Sequence, residues 1–454
     1  MQSGGGGGVP DDAPKGRSRF ATFLIIWFGQ LTSTLGSALT GFALGVWVYQ
    51  TTGSVTQFAL ISLFTSLPGL VLSPIAGALV DRWNRRTAMI LSDAGAGLCT
   101  LAIALLIVSD RLELWHIYLA MAISSVFNSV QWPAYSASVS LLVPKEHYGR
   151  ASGLVQIGQA VSQILAPVLG AVMLVSLGIY SVILLDFASA LVAIGTLLAV
   201  RIPQPASGQK EKGAEKSSLL KESRIGWTFI KERPGLMGLV LLLGMTNLTA
   251  GMVHVLFTPL VLSLTDTTTL GTTVAVAGVG MLLGTVVMSA WGGPKQKVVG
   301  VIAFLFLEGI MLVLSGLRPS LILVGACAFV YMFSMPIVNG CSQAIWLAKT
   351  PHEVQGRVFA VRRMIAWSML PISYFLAGPL SDRVFEPLMA AGGFLASSVG
   401  LVIGYGPGRG IALLYIVLGV AKILVVLGGA LSPTVRRVEE DLPDVIQDEA
   451  PIAS

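Results

Sequence analysis

Twelve stretches of roughly 20 or more mostly apolar residues recur along the chain. They lie at 21–49, 56–80, 87–109, 114–142, 151–177, 180–200, 236–263, 270–291, 298–317, 320–348, 357–381 and 411–431. A run of that length matches the thickness of a bilayer's hydrocarbon core, and in hydrocarbon a lone segment can satisfy its peptide groups only as a helix. Asp, Glu, Lys and Arg make up 11% of the 454 residues, against about 25% in soluble domains. The expected fold is therefore an all-α polytopic membrane protein with twelve transmembrane helices. A further apolar stretch, 388–405, is rich in Gly and Ser and is flanked by Glu386-Pro387 and by Gly406-Pro407-Gly408-Arg409-Gly410. It is expected to form part of an external loop.

The positive charges set the expected orientation. With the N-terminus inside, 24 of the 29 Lys and Arg fall on the cytoplasmic side. Only Arg111, Arg318, Arg383 and Arg409 fall outside, and Lys422 falls within a helix. That bias predicts an even number of spans in the cytoplasmic (inner) membrane with both termini cytoplasmic. The net charge of +6 sits in loops facing anionic lipid and implies no nucleic-acid partner. Cys99, Cys327 and Cys341 lie inside apolar runs and suit neither a disulfide framework nor a metal site. The expected layout is a cytoplasmic tail over 1–20, a six-helix bundle over 21–202, a linker over 203–235, a second bundle over 236–431 and a tail over 432–454. Within the linker, Leu219 to Arg233 mixes apolar and basic residues, as an amphipathic helix on the inner leaflet does.

The two bundles repeat. Pro144, Glu146, Gly149 and Arg150 recur as Pro351, Glu353, Gly356 and Arg357, offset by 207 at every position. Gly77-Ala-Leu-Val-Asp81-Arg82-Trp-Asn84-Arg85-Arg86 occupies the loop after the second run. This stretch resembles the loop between helices 2 and 3 of major facilitator superfamily transporters, with Asn84 where a second glycine is usual. The resemblance implies two six-helix halves related by pseudo-symmetry, with the site between them. It also implies a conformational switch in which Asp81 docks at the start of the eleventh run, near Gly356, Arg357 and Arg362. In the second half, Gly284 to Lys297 keeps the glycine and the lysines but lacks the aspartate. A second imitation, Ala377-Gly378-Pro-Leu-Ser-Asp382-Arg383, falls outside by charge.

The fifth run carries Gly153, Ser162, Ala166-Pro167 and Gly170-Ala171. This resembles the small-residue pattern of the superfamily's drug–proton antiporters, typified by macrolide efflux proteins and related siderophore exporters, with three glycines replaced by Ser or Ala. Asp186-Phe-Ala-Ser and Glu439-Glu440-Asp441-Leu-Pro443 also look like that branch.

Polar residues at helical spacing mark candidate cavity faces on the runs that the resemblance places at the centre. They are Gln30 beside Trp27 and Thr34; Asn128, Gln131, Trp132 and Tyr135; Gln156, Gln159 and Gln163; Asn247 and His254; Asn339, Gln343 and Trp346; and Trp367 with Tyr374. Unpaired amides facing lipid are costly, so these faces point into protein or water, and the Asn128 and Gln159 faces are expected to meet around a cavity. Amides with aromatics suit a large amphipathic ligand, uncharged or weakly cationic.

Asp93, Asp186, Glu308 and Lys422 lie inside runs and are candidates for proton coupling or buried pairing. By the resemblance all four are peripheral, and Glu308 and Lys422, at similar depth, are expected to pair. No phosphate-binding Gly-x4-Gly-Lys-Ser/Thr loop occurs. The expectation is a monomeric, proton-coupled exporter of an amphipathic compound, without cofactor or metal and not an enzyme. An importer or uniporter of the same fold is the alternative, and a membrane sensor or enzyme the distant one.

Overall fold

The computed structural model describes residues 16–80, 83–144, 147–200, 202 and 219–442. Asp81 and Arg82, and with them the docking expected of Asp81, lie outside the described residues. The chain forms α1 (Gly16–Thr52), α2 (Val55–Val80), α3 (Arg85–Val108), α4 (Leu114–Leu142), α5 (148–177) and α6 (179–199). A linker helix (Leu219–Lys231) leads to α7 (Pro234–Leu262), α8 (Thr267–Trp291), α9 (Lys297–Leu317), α10 (Leu321–Lys349), α11 (His352–Leu380) and α12 (Arg409–Leu431). Ten helices are long and apolar enough to cross a membrane among the described residues. One of these is α5 and α6 running together, and they meet at Gly178, whose φ of 79° few other residues adopt. The remaining rod, α4, is long enough, but its amide-bearing face makes it less apolar.

Local chemistry sets the ends. Asn84 accepts a bond from Thr87 N (3.3 Å) at the start of α3, and Asp266 from Thr269 N (2.7 Å) at the start of α8. The basic residues of the α2–α3 loop staple neighbouring helix ends. Arg85 Nη1 donates to Ala137 O of α4 (2.7 Å), and Arg86 Nε to Leu197 O of α6 (2.6 Å). Leu197 O lies in the final turn of α6, where no helical N–H can reach it, and Ala137 O lies one turn before the end of α4. Glu439 does the converse for α9, accepting from Lys297 N (3.0 Å) and Val298 N (2.8 Å).

Residues 388–405 do not span. They form short turns over the ends of α9 and α12, with Ile403 and Leu413 in a small apolar cluster. α11 overruns its expected end, continuing through a π-helical turn, Ser381–Phe385, to Met389. The linker helix packs on α11, where a Cβ at Gly226 would sit 2.5 Å from Arg357 O.

The helices gather into two halves, α1–α6 and α7–α12, and touch along α2–α11 and α5–α8. Call the face where α1 begins and α12 ends the terminal face. At the opposite face the halves share one core: Val46, Val55 and Ala59 pack with Val253, Leu256 and Ala377. At the terminal face each half has its own core, one around Phe23, Met89 and Leu142, the other around Leu239, Ile345 and Trp346. Polar contacts follow the same division. Gln50 Nε2 donates to Thr267 Oγ1 (2.8 Å), and Asp382 accepts from Ser54 Oγ (2.7 Å), Val55 N (3.0 Å) and Thr56 N (2.8 Å). All of these lie at the opposite face. Among the described residues, the halves are joined there and keep separate cores at the terminal face.

The Glu439 cap gives a test. Glu439→Ala is expected to cost about 1–2 kcal/mol, as loss of a helix cap does, seen as a drop of a few degrees in thermal unfolding of the purified protein. Glu440→Ala, at an exposed neighbour, is expected to leave the transition in place.

Candidate functional site

A cavity of about 280 Å³ opens in the first half. α1 contributes Trp27, Gln30, Leu31 and Thr34; α4 contributes Asn128, Gln131, Trp132 and Tyr135; α5 contributes Val155, Gly158 and Gln159. These residues lie on the terminal-face halves of their helices, where the two halves have separate cores. Gly158 lets α1 come close, with Trp27 Nε1 3.5 Å from where a Cβ would stand. Trp27 Nε1 donates to Leu154 O (2.8 Å), which fixes the indole as one wall. Trp132 is half exposed, its ring centroid 6.3 Å from that of Tyr135.

Thus Gln30, Asn128, Gln131, Trp132, Tyr135 and Gln159 come together. Gln156 and Gln163 do not: both are exposed, because α5 turns Val155, Gly158 and Gln159 toward α1 and α4 instead.

In the second half the expected face is divided. Asn247 Nδ2 donates to Ala366 O (3.1 Å), a brace between α7 and α11. His254 and Tyr374 are ring neighbours at 6.3 Å, and Trp367 is exposed beneath the guanidinium of Arg363. Asn339 and Gln343 are exposed on α10, and Gln343 Oε1 accepts from Arg362 Nη1 (2.9 Å). Trp346 is not a cavity residue. Arg362 lies over its ring and closes it into the core of the second half, where it is fully buried.

Asp93 stands behind the cavity wall but is bonded to it. It is 5% exposed, and it accepts from Gln30 Nε2 (3.0 Å), Gln131 Nε2 (3.1 Å) and Ser33 Oγ (3.3 Å). Gln131 Nε2 also donates to Gln30 Oε1 (2.6 Å), so two cavity-wall amides converge on one buried carboxylate. An ionised carboxylate only accepts, which orients both amides with nitrogen toward it. Asp186 sits deeper between helices and accepts from Ser37 Oγ of α1 (3.2 Å) and Thr100 Oγ1 of α3 (3.1 Å). Ser33, Ser37 and Thr100 escaped the sequence reading, although Gln30, Ser33 and Ser37 fall on one face of α1 at i, i+3 and i+7.

Glu308 of α9 and Lys422 of α12 form a buried ion pair, and Lys422 Nζ also donates to Tyr331 Oη (3.3 Å). Each alone would be an uncompensated charge in an apolar bundle.

The major facilitator superfamily profile matches residues 26–372. The chain belongs to the major facilitator superfamily. Macrolide efflux protein A of Streptococcus pyogenes is 28% identical over 378 residues, which cover 80% of this chain and 90% of that protein. Multidrug efflux pump Tap of Mycolicibacterium fortuitum is 27% identical over 376 residues, 79% and 89% of the two chains. Among solved structures, a bacterial homolog of the human lysosomal transporter Spinster, inward-facing and unoccupied, superposes with a TM-score of 0.69. That match covers 96% of this chain and all of the other at 14% identity, and a bacterial homologue of the iron transporter ferroportin, also inward-facing, gives 0.61 at 13%. The all-α major facilitator fold and a place beside the efflux branch follow.

The ion pair yields a double-mutant cycle. Glu308→Gln or Lys422→Met alone is expected to destabilise by about 3–5 kcal/mol, because each strands a buried charge. The double variant is expected to lose less than the sum, measured as folded yield and thermal unfolding; additive losses would show that the pair is not coupled.

Proposed function

We propose that this transporter is a secondary active exporter of an amphipathic compound, working by alternating access with protons moving inward in exchange. The carrying observation is the amide- and aromatic-walled cavity in the first half, with the halves keeping separate cores at the face where it opens and joined at the other. On this reading the terminal face is cytoplasmic, in keeping with the 24 of 29 basic residues assigned to that side. The cavity then receives its substrate from the cytoplasm or inner leaflet. The printed names of the relatives, macrolide and multidrug efflux, favour export of drug-like molecules.

Asp93 is the acid this reading assigns to the proton. Its donors are neutral, so burial leaves its charge uncompensated, and two of them line the cavity. Glu308 already has its counter-ion in Lys422, and Asp186 bonds to hydroxyls away from the cavity wall. The switch assigned to Gly77, Asp81, Arg82, Arg85 and Arg86 with Gly356, Arg357 and Arg362 would close the terminal face. Among the described residues, a Cβ at Gly77 or Gly356 meets nothing within 4 Å, which leaves both glycines room for a close approach in another state.

Everted vesicles carrying the protein test the reading. Erythromycin is expected to accumulate when the lumen is acid and to draw protons out as it enters. Accumulation indifferent to the pH gradient would indicate a uniporter and end the antiport assignment. Gln159→Leu removes one polar contact, of about 0.5–1.5 kcal/mol, and is expected to raise the transport KM about three- to tenfold with kcat little changed. Asp93→Asn is expected to keep binding but abolish the proton release.

A further inference from the structure

The imitation of the loop motif at the end of α11 has a contact that the function above does not use. Ala377-Gly378-Pro-Leu-Ser-Asp382-Arg383 and Ala76-Gly77-Ala-Leu-Val-Asp81-Arg82 share Ala, Gly, Leu, Asp and Arg at the same spacing. The first stretch begins in the last turn of α2, and the second straddles the join between α11 and its π-helical turn. α2 runs toward the terminal face and α11 away from it, and the two pack against each other across the halves. The last turn of α11 therefore lies beside the first turn of α2.

At the opposite face that juxtaposition is engaged. Asp382 accepts from Ser54 Oγ and from the backbone N–H groups of Val55 and Thr56, the first two residues of α2. A carboxylate there meets unsatisfied donors and the positive end of the helix dipole. Gly378 makes the approach possible. A Cβ on it would collide with Thr56 Cα and stand 3.0 Å from Thr56 N. Its counterpart Gly77 has no such neighbour among the described residues.

We propose that Asp382 is a positioning residue of the transport cycle, a latch that holds the opposite face shut while the terminal face is open. Rocking the halves so that the opposite face opens draws Asp382 away from Ser54, Val55 and Thr56. The latch biases the equilibrium between the two states and influences the rate of cycling without touching substrate. The latch rests on the alternating-access part of the reading above and not on the identity of the substrate or the coupling ion.

Spin labels measure the two faces without any substrate. One pair, at Arg111 and Arg318, spans the opposite face; the other, at Trp83 and Lys295, spans the terminal face. All four positions are exposed and leave the latch intact. In the unaltered protein the first pair is expected to show mainly its short distance. Asp382→Ala is expected to shift the ratio of the two populations about tenfold toward a long 111–318 and a short 83–295 distance. Gly378→Leu, which wedges the same contact while keeping the carboxylate, is expected to mimic Asp382→Ala and serves if that variant folds poorly. Distance distributions unchanged by both Asp382→Ala and Gly378→Leu would overturn the latch, whatever the vesicle experiments show about export. A shift in both, with no erythromycin transport, would leave the latch standing and sink the substrate assignment.

Discussion

One apolar core shared between the halves at one face, and two separate cores at the other, is the arrangement on which the remainder depends. Packed interiors resist compression and move as bodies. Freedom therefore concentrates in the layer between the bodies, where α2 meets α11 and α5 meets α8. That layer is built for close approach of backbones. A Cβ at Gly271 would lie 2.8 Å from Pro167 O, and one at Gly278 would lie 2.7 Å from Ile164 Cγ1. Small residues let helices approach without interlocking large side chains, so the seal is tight and can still part as a unit.

The halves bury their carboxylates in different ways. In α9, Glu308 meets a lysine and the pair is neutral, which braces α9, α10 and α12 through Tyr331. In α3, Asp93 meets two amides and a hydroxyl, which satisfy its lone pairs and leave its charge. The pseudo-symmetry implied by the 207-residue repeat does not extend to this chemistry. A lysine-paired carboxylate in one half and a carboxylate held only by neutral donors behind the cavity wall in the other set the two halves apart.

Most of the architecture was legible because hydrocarbon leaves a chain few options. Apolar runs of bilayer length yielded the helices, and the gap at 178–179 yielded the α5–α6 joint before its positive φ was known. The pairing of Glu308 with Lys422 was readable from depth alone. What stayed hidden depended on reach across helices. Asp93 stood on a helix expected to be peripheral, but the long Gln30 and Gln131 side chains carry its influence to the cavity. Trp346 shared a stripe with Asn339 and Gln343, yet a single arginine from α11 covers it. Gln156 and Gln163 shared a face with Gln159, and the turn of α5 gave the cavity only the middle one. Counting charges correctly put Asp382 at the other face, but such a count says nothing of which helix end a carboxylate will find.

The joint at Gly178 has a practical consequence for anyone decorating the molecule. On the opposite face the first half connects its helices through 53–54, 109–113 and one glycine, with almost no chain to spare. The second half carries the 390–408 lobe, where Phe394 is 84% and Leu401 79% exposed. An inserted epitope or a binding protein finds room on that lobe, whereas two extra residues at 178 would have to be absorbed by the helices themselves. Bulky reagents directed at that face will find the second half first, whereas the first half offers them only its short connections.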